Sequence, residues 1–436
     1  MTELKDKLRQ LKRERDARSK SQAIQDAMSE LDQDQGMSTR DKLEQLIKLR
    51  PDRTPRPPQV KPAASHDREP LEFTENPYAL DARYGSISVG EGLKISGHVL
   101  ACLSREPAFE DLDLSTALFF DLETTGLSGG TGTIPFNIGL GYFRDDKFWV
   151  GQYFLAELAS ERQMIEDFTR FLDDMEFKSI VTFNGKTFDV PLLETRFILH
   201  RMPFKLDGLP HLDFLFPARS LWKHKYDSCR LAYLAREVLA TGRDEDIPSA
   251  EVPWRYFQFL QTGNYELIEP VLYHNAEDIL SLLGLVILGA SIFSDDPDSC
   301  SADAMDYFGA AKVLEKVGQT EKAADFYQRA LSGSLSLEVG LSTRRHLASQ
   351  YKRGEHWDKA VVLWTEMAES EDASGDLLYS LRELSMYYEH RAKKFDDANK
   401  YAEEGFVVAR GFSDYYERDF THRRERLKKK MRSEKE

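Results

Sequence analysis

Residues 1–70 hold little that could build a core. Leu4, Leu8 and Leu11, then Leu43, Leu46, Ile47 and Leu49, make two sparse helical stripes among charges, and Arg50 to Pro62 is basic and proline-rich. Such a stretch predicts a solvated, flexible arm. The texture changes at Leu71. Tyr84 to Ile95 alternates apolar and polar positions around glycines, the pattern of a small hairpin. Three apolar runs follow, Leu118 to Leu122, Ile134 to Phe143 and Phe148 to Leu155. Their links are short and rich in Gly or Asp, which predicts an antiparallel meander. Behind Ser160, the apolar residues Met164, Ile165, Phe168, Phe171 and Leu172 recur at helical spacing. Ser179 to Phe183 reads as a fourth strand ending at Asn184-Gly185, and a helix opens near Phe188-Asp189 and runs to about Leu199. The spans 211–223 and 228–240, and a long apolar segment from near Ile268, are predicted as helices.

This order predicts an α/β domain over 71–295, with a mixed sheet flanked by helices. If the fourth strand pairs parallel to the first, Asp121, Glu123 and the turn from Asn184 to Asp189 meet at one edge. Residues 301–410 keep a different rhythm. Ala323, Tyr327 and Ala330 follow a four-then-three spacing that returns as Ala360, Trp364 and Met367, and again as Ala398, Ala402 and Gly405. The first members lie 37 and 38 residues apart. A period of that length predicts stacked helical hairpins resembling tetratricopeptide repeats, a surface suited to a protein partner. Residues 411–436 read as a basic helical tail.

At 436 residues with 41% hydrophobic content, the chain is long and apolar enough for more than one core. A formal net charge of −15 argues against coating duplex nucleic acid through bulk charge. It leaves open an enzyme that meets phosphates through bound metals and local Lys or Arg. No apolar stretch looks long enough to span a membrane, and the start is charged rather than signal-like. Cys102, Cys229 and Cys300 show no CxxC spacing, so reduced thiols in a cytoplasmic protein are expected.

The chemistry enters with Phe119-Phe120-Asp121-Leu122-Glu123-Thr124-Thr125-Gly126. In a strand, Asp121 and Glu123 share a face, and unpaired buried carboxylates cost several kcal/mol unless something neutralises them. A divalent cation is one neutraliser, and solvent at a strand end is another. Asp189 starts a helix after a buried strand. His274 and Asp278 sit one turn apart on one helical face. Taken singly, Asp189, His274 and Asp278 read as helix-end or surface charges. Together, four carboxylates and a histidine suit two divalent ions, with His274 as the base for an attacking water.

Asp121-Leu-Glu-Thr-Thr-Gly, Asn184-Gly-Lys-Thr-Phe-Asp189-Val-Pro-Leu-Leu and His274-Asn-Ala-Glu-Asp278-Ile resemble, in order, the three exonuclease motifs of the DEDD superfamily. More narrowly the chain resembles its YprB-type branch, to which His211-Leu-Asp213, Arg219, Trp222, Ile247-Pro248, Tyr256 and Thr262-Gly263 also look similar. The resemblance implies a ribonuclease H-like mixed sheet followed by an all-α, tetratricopeptide-like repeat domain. It implies a 3′–5′ exonuclease acting on single-stranded DNA or RNA ends, with two Mg²⁺ or Mn²⁺ ions held by Asp121, Glu123, Asp189 and Asp278. His274 would be the base, and Thr124, Leu127, Asn184, Lys186 and Asn275 would meet substrate. Arg196 is a further candidate phosphate contact, and Asp213 a supporting residue or helix cap. One departure stands out. One subclass has His five residues before the final Asp and the other Tyr four before it, whereas here Tyr273 and His274 exchange those places. A scaffold with a weak or inactive nuclease fold is the rival expectation.

Overall fold

The structure is a computed structural model that describes residues 71–126, 132–242, 247–294, 302–369 and 374–433. The expected arm over 1–70, Leu127 and Cys300 lie outside them. The strands are β1 (Leu71–Ala79), β2 (Arg83–Tyr84), β3 (Ile87–Ser88), β4 (Ala117–Thr124), β5 (Pro135–Arg144), β6 (Lys147–Leu155), β7 (Ser179–Thr182) and β8 (His211–Asp213). The helices that build the sheet domain are α1 (Gly97–Ser104), α2 (Glu161–Met175), α3 (Asp189–Leu199), α4 (Leu215–Trp222), α5 (Leu231–Glu237), α6 (Val252–Thr262) and α7 (Glu269–Ser291). Then come α8 (Ala304–Lys316), α9 (Thr320–Leu331), α10 (Leu337–Arg353), α11 (Trp357–Ala368), α12 (Gly375–His390), α13 (Phe395–Ala409) and α14 (Asp414–Ser433).

Six strands form one mixed sheet in the order β1-β6-β5-β4-β7-β8, and β2 and β3 make a separate small hairpin. β4, β5 and β6 form the expected antiparallel meander, and β7 pairs parallel to β4 with Ala117 opposite Ser179. Two strands differ from the sequence reading. β1 pairs along its length with β6 but was not legible, because an outer strand with the sequence LEFTENPYA buries little and shows no apolar alternation. His211–Asp213, expected to begin a helix, is instead an edge strand parallel to β7, and the helix starts two residues later at Leu215. Three residues are too short a run to show a period, so only pairing with β7 reveals the strand.

β4 is buried on both faces. Leu118, Phe120 and Leu122 point toward Met164, Phe168, Leu193, Phe197 and Tyr256 of α2, α3 and α6. Ala117 and Phe119 point the other way, into a core that includes Ile279, Leu282, Leu283 and Val286 of α7. Each of the Leu, Ile, Val, Phe and Met side chains among them contributes about 1.5–3 kcal/mol by leaving water. The same core runs on through Leu221 and Trp222 of α4 to Phe308, Tyr327, Leu347 and Trp364 of α8 to α11. The 71–295 and 301–410 spans therefore share apolar packing. Tyr265–Ser291 is long and apolar enough to cross a membrane, contrary to the sequence reading, but 67% of an apolar 18-residue window within it is buried inside the protein, where α7 serves as a core helix.

The repeating positions of 301–410 all point inward. Ala323, Tyr327, Ala330, Ala360, Trp364, Met367, Ala398 and Ala402 are buried, and Gly405 lies under the Phe420 ring. The helices α8 to α13 follow one another through short links. The basic tail is α14, which buries Phe420, Arg423 and Leu427 against the pair before it.

Candidate metal centre

β4 carries Asp121 and Glu123 on the same face as Ala117 and Phe119, the face that α7 covers. The helix runs against the strand's direction. Ile279 packs at Gly141, which pairs with Phe119, and Asn275, one turn earlier, packs at Gly139, which pairs with Asp121. A Cβ on Gly139 would stand 2.0 Å from Asn275 Oδ1, and one on Gly141 would stand 2.6 Å from Ile279. These two glycines let α7 lie on the sheet. Where its apolar stretch ends, its polar first turns meet the acids.

The acids gather at the ends of parallel strands. β7 stops at Thr182, and the chain turns through Asn184 at φ 69°, a left-handed conformation that Asn tolerates. α3 then opens on Asp189, whose carboxylate accepts from the backbone of Leu122 and of its own residue. His274 Nε2 lies 3.4 Å from Asp278 Oδ2 and 4.0 Å from Glu123 Oε1. Glu123, His274 and Asp278 each offer a ligand atom, all within 4.8 Å of one another.

Charge at this centre is concentrated and poorly compensated. Burial, then repulsion from Asp189, Asp278 and Glu123, pushes the Asp121 carboxyl well above the usual range. Burial likewise raises Asp189 to about 7 despite its backbone hydrogen bonds. Among the described residues no Lys or Arg pairs with Asp121 or Asp189. A set of hard carboxylate oxygens with one imidazole and excess negative charge fits Mg²⁺ or Mn²⁺. The residues present fit that group.

The other expected site residues separate into three sets. Asn275 is fully buried. Its Nδ2 donates to Asp121 O (3.3 Å) and Oδ2 (3.0 Å), while its Oδ1 accepts from Asn137 Nδ2 (2.8 Å) and Gln152 Nε2 (3.0 Å). It stands behind Asp121 as a positioning residue, which corrects its expected place on the substrate side. Arg196 is also corrected: at 6% exposure its guanidinium donates to both Glu161 oxygens at 2.5 and 2.6 Å, so no phosphate reaches it. Thr124 Oγ1 donates to Gly126 O at 2.8 Å beside a register shift in which β5 carries the extra residue, tying the turn together. Lys186 lies in the turn before Asp189, with Nζ donating to Glu106 Oε1 at 2.6 Å. Asn184 is held in the same turn. Asp213 fixes that turn by accepting from the amides of Asn184 (2.7 Å), Lys186 (3.1 Å) and Leu215 (3.2 Å). His211 braces β7 against β8 through a 2.8 Å contact with Thr182 Oγ1, and burial with nearby Lys186 lowers it to about 3.

The exchanged pair differs in orientation. His274 is buried and faces Glu123 and Asp278, whereas Tyr273 is 62% exposed. Sequence reasoning missed Asn137 and Gln152, which hold Asn275. The signal was present, since each is a polar residue inside an apolar strand run, and buried polar groups in strands need partners.

The sheet order, the flanking helices and the three acidic segments beside the ends of β4 and β7 define a ribonuclease H-like domain, a fold that supports nuclease activity on nucleic acid. Residues 118–288 match the RNase H superfamily. Over 383 residues the chain is 32% identical to a Bacillus subtilis (strain 168) protein described as "Uncharacterized protein YprB", aligning 86% of this chain with 89% of that one. The chain belongs to the YprB family. A family B DNA polymerase from the hyperthermophilic archaeon Pyrobaculum calidifontis aligns with 55% of this chain and 29% of its own length, at 16% identity and a TM-score of 0.32. That likeness is too distant to bear on function.

Proposed function

We propose that this chain is a metal-dependent 3′–5′ exonuclease that hydrolyses phosphodiester bonds at single-stranded nucleic-acid ends. The observation that carries the reading is the convergence of Asp121, Glu123, Asp189 and Asp278 from three distant segments beside His274. These four acids would hold two Mg²⁺ or Mn²⁺ ions. When bound, such ions lower the pKa of water and stabilise charge on the attacking and leaving oxygens.

The chain's own residues supply orientation and proton handling. His274 Nε2 lies beside Asp278, which suits it to take the proton of the attacking water. Asn275 orients the Asp121 carboxylate through the Asn137 and Gln152 amides. Asp213 sets the turn that delivers Asp189, and Lys186 at that turn meets a phosphate on exchanging its Glu106 partner. The helical pairs after residue 301 would recruit a protein partner.

The test is cleavage of end-labelled single- and double-stranded DNA and RNA with Mg²⁺ or Mn²⁺. Shortening from the 3′ end by the wild type and none by Asp121→Asn is expected. Equal degradation by both removes the catalytic reading and leaves the scaffold.

A further inference from the structure

The same protein carries an opposite charge concentration away from the acids. α4 and α8 pack closely: a Cβ on Gly309 would stand 2.3 Å from Leu221 O, so glycine is required where the helices meet. Each helix carries two cations one turn apart, Arg219 and Lys223 at the end of α4 and Lys312 and Lys316 on α8. Lys316 Nζ donates to Ser220 Oγ of α4 at 3.2 Å, and Lys312 Nζ approaches His224 Nε2 at 3.3 Å. These contacts place both lysines on the α4 side of α8. Arg105, at the end of α1, adds a fifth cation beside Lys316.

None of the five is ion-paired with a carboxylate among the described residues. Of the acids near them, Glu338 faces His224, and three others are engaged elsewhere. Asp303 and Asp306 hold Lys225, and Glu315 accepts from Tyr327 and pairs with His346 and Arg353. Burial first, and then like-charge neighbours, lowers Lys312 and Lys316 below the ordinary lysine range. In a chain of net charge −15, five crowded cations without a carboxylate partner suit an anion. Phe216, 44% exposed, precedes Arg219 and Lys223 by three and seven residues on the outer face of α4, offering a ring beside the charges.

The patch is continuous with the candidate metal centre. Arg105 adjoins Glu106, whose carboxylate holds both Lys186 Nζ and the His211 amide of edge strand β8. Lys186 lies in the turn that leads to Asp189. A line of cations thus runs from that turn across the sheet edge to the α4–α8 junction.

We propose that the junction of α4 and α8 binds the phosphate backbone of a single-stranded nucleic acid whose end occupies the acid centre, a proposal that rests on the nuclease reading above. A backbone repeats its charge along an extended track, and an exposed ring among cations suits an unpaired base.

The test uses the full chain. Binding of a long 5′-labelled single-stranded oligonucleotide is measured by anisotropy in EDTA across a salt series. Hydrolysis of a trinucleotide, the short-substrate control, is measured with Mn²⁺. Lys312→Glu combined with Lys316→Glu is compared with Lys359→Glu combined with Lys400→Glu, which changes net charge equally on later helices. The junction variant should lose about tenfold in affinity, with a salt slope shallower by roughly 1.4, and keep trinucleotide hydrolysis. Equal losses in both variants, or none in either, overturn the junction while wild-type cleavage leaves the nuclease reading intact. Loss of binding in the junction variant alone, with no metal-dependent cleavage by the wild type, keeps the junction as a binding surface and removes the nuclease reading. No binding by the wild type overturns the junction.

Discussion

Glu389 and Asp121 are acids enclosed by the same chain in opposite company. Glu389 of α12 is fully buried and accepts from Arg426 (2.8 and 2.5 Å) and Lys430 (2.8 Å), with Arg423 4.0 Å away. Burial would raise its pKa, but the bonds from Arg426 and Lys430 outweigh that and hold it at about 2. Asp121 faces Asp189, Asp278 and Glu123, gains one amide bond from Asn275, and is pushed the other way. Where an acid serves the fold, the fold supplies its cation. Beside the ends of β4 and β7 it supplies more acids, and the deficit is the mark of a site completed from outside.

The largest expected effect tests the acid centre. Asp121→Asn should reduce metal-dependent cleavage at least about a thousandfold, the scale of losing several kcal/mol of charge stabilisation. Its metal-free melting temperature at pH 8 should not fall, because one of four crowded charges is gone. A marked loss of fold stability would make Asp121 a structural acid like Glu389 and break the contrast.

Asn275→Ala comes next. It removes the amide that orients Asp121, so cleavage and metal affinity should drop by about 10–100-fold, measured by rates across a Mn²⁺ titration. Unchanged rates would mean that Asp121 needs no orienting partner.

Glu389→Gln should leave cleavage intact and cost about 1.5–3 kcal/mol in urea unfolding, since charge-assisted bonds to Arg426 and Lys430 are weakened. If it instead reduced cleavage with stability unchanged, the division between the two acids would fail.

The pH responses have opposite signs. Asp189 titrates at about 7 in the folded protein against 3.8 ordinarily, so the fold holds a proton that the unfolded chain releases. Metal-free stability should therefore fall as pH rises from about 4 to 7, and Mg²⁺ or Mn²⁺ should restore it at pH 8. Glu389 and Glu315, both held at about 2, contribute stability that is complete above 4.5 and is lost as pH falls toward 2. For Glu315 the His346 bond is the main cause. Thermal melts from pH 3 to 8, with and without metal, read both limbs.

Lys186→Ala should have the smallest effect, under about 1 kcal/mol on stability because its Glu106 pair is partly exposed. A several-fold rise in KM at unchanged kcat would place Lys186 on the phosphate.

The acids were legible because their signals are local. Asp121 and Glu123 interrupt a strand's apolar run, and His274 and Asp278 are one helical turn apart. Asn275, lying between them, could not be placed from sequence. Whether its amide faces substrate or sheet depends on Gly139, Asn137 and Gln152, the last two being 138 and 123 residues away. Arg196 looked free for the same reason, since its partner Glu161 lies 35 residues back on another helix.

By itself the sequence determined the periods: alternation in the meander, helical faces after residue 301, and three acidic segments each tied to a strand end or helix start. Those periods are set by backbone geometry within a few residues. Tertiary structure alone decided which face of β4 meets α7, how Gly139 and Gly141 register the helix, and that β1 and β8 complete the sheet. It also decided which charges are answered. Glu389 meets arginines from a helix nearly forty residues on, whereas Asp121 meets further acids, because pairing is fixed by packing between segments that no local period connects.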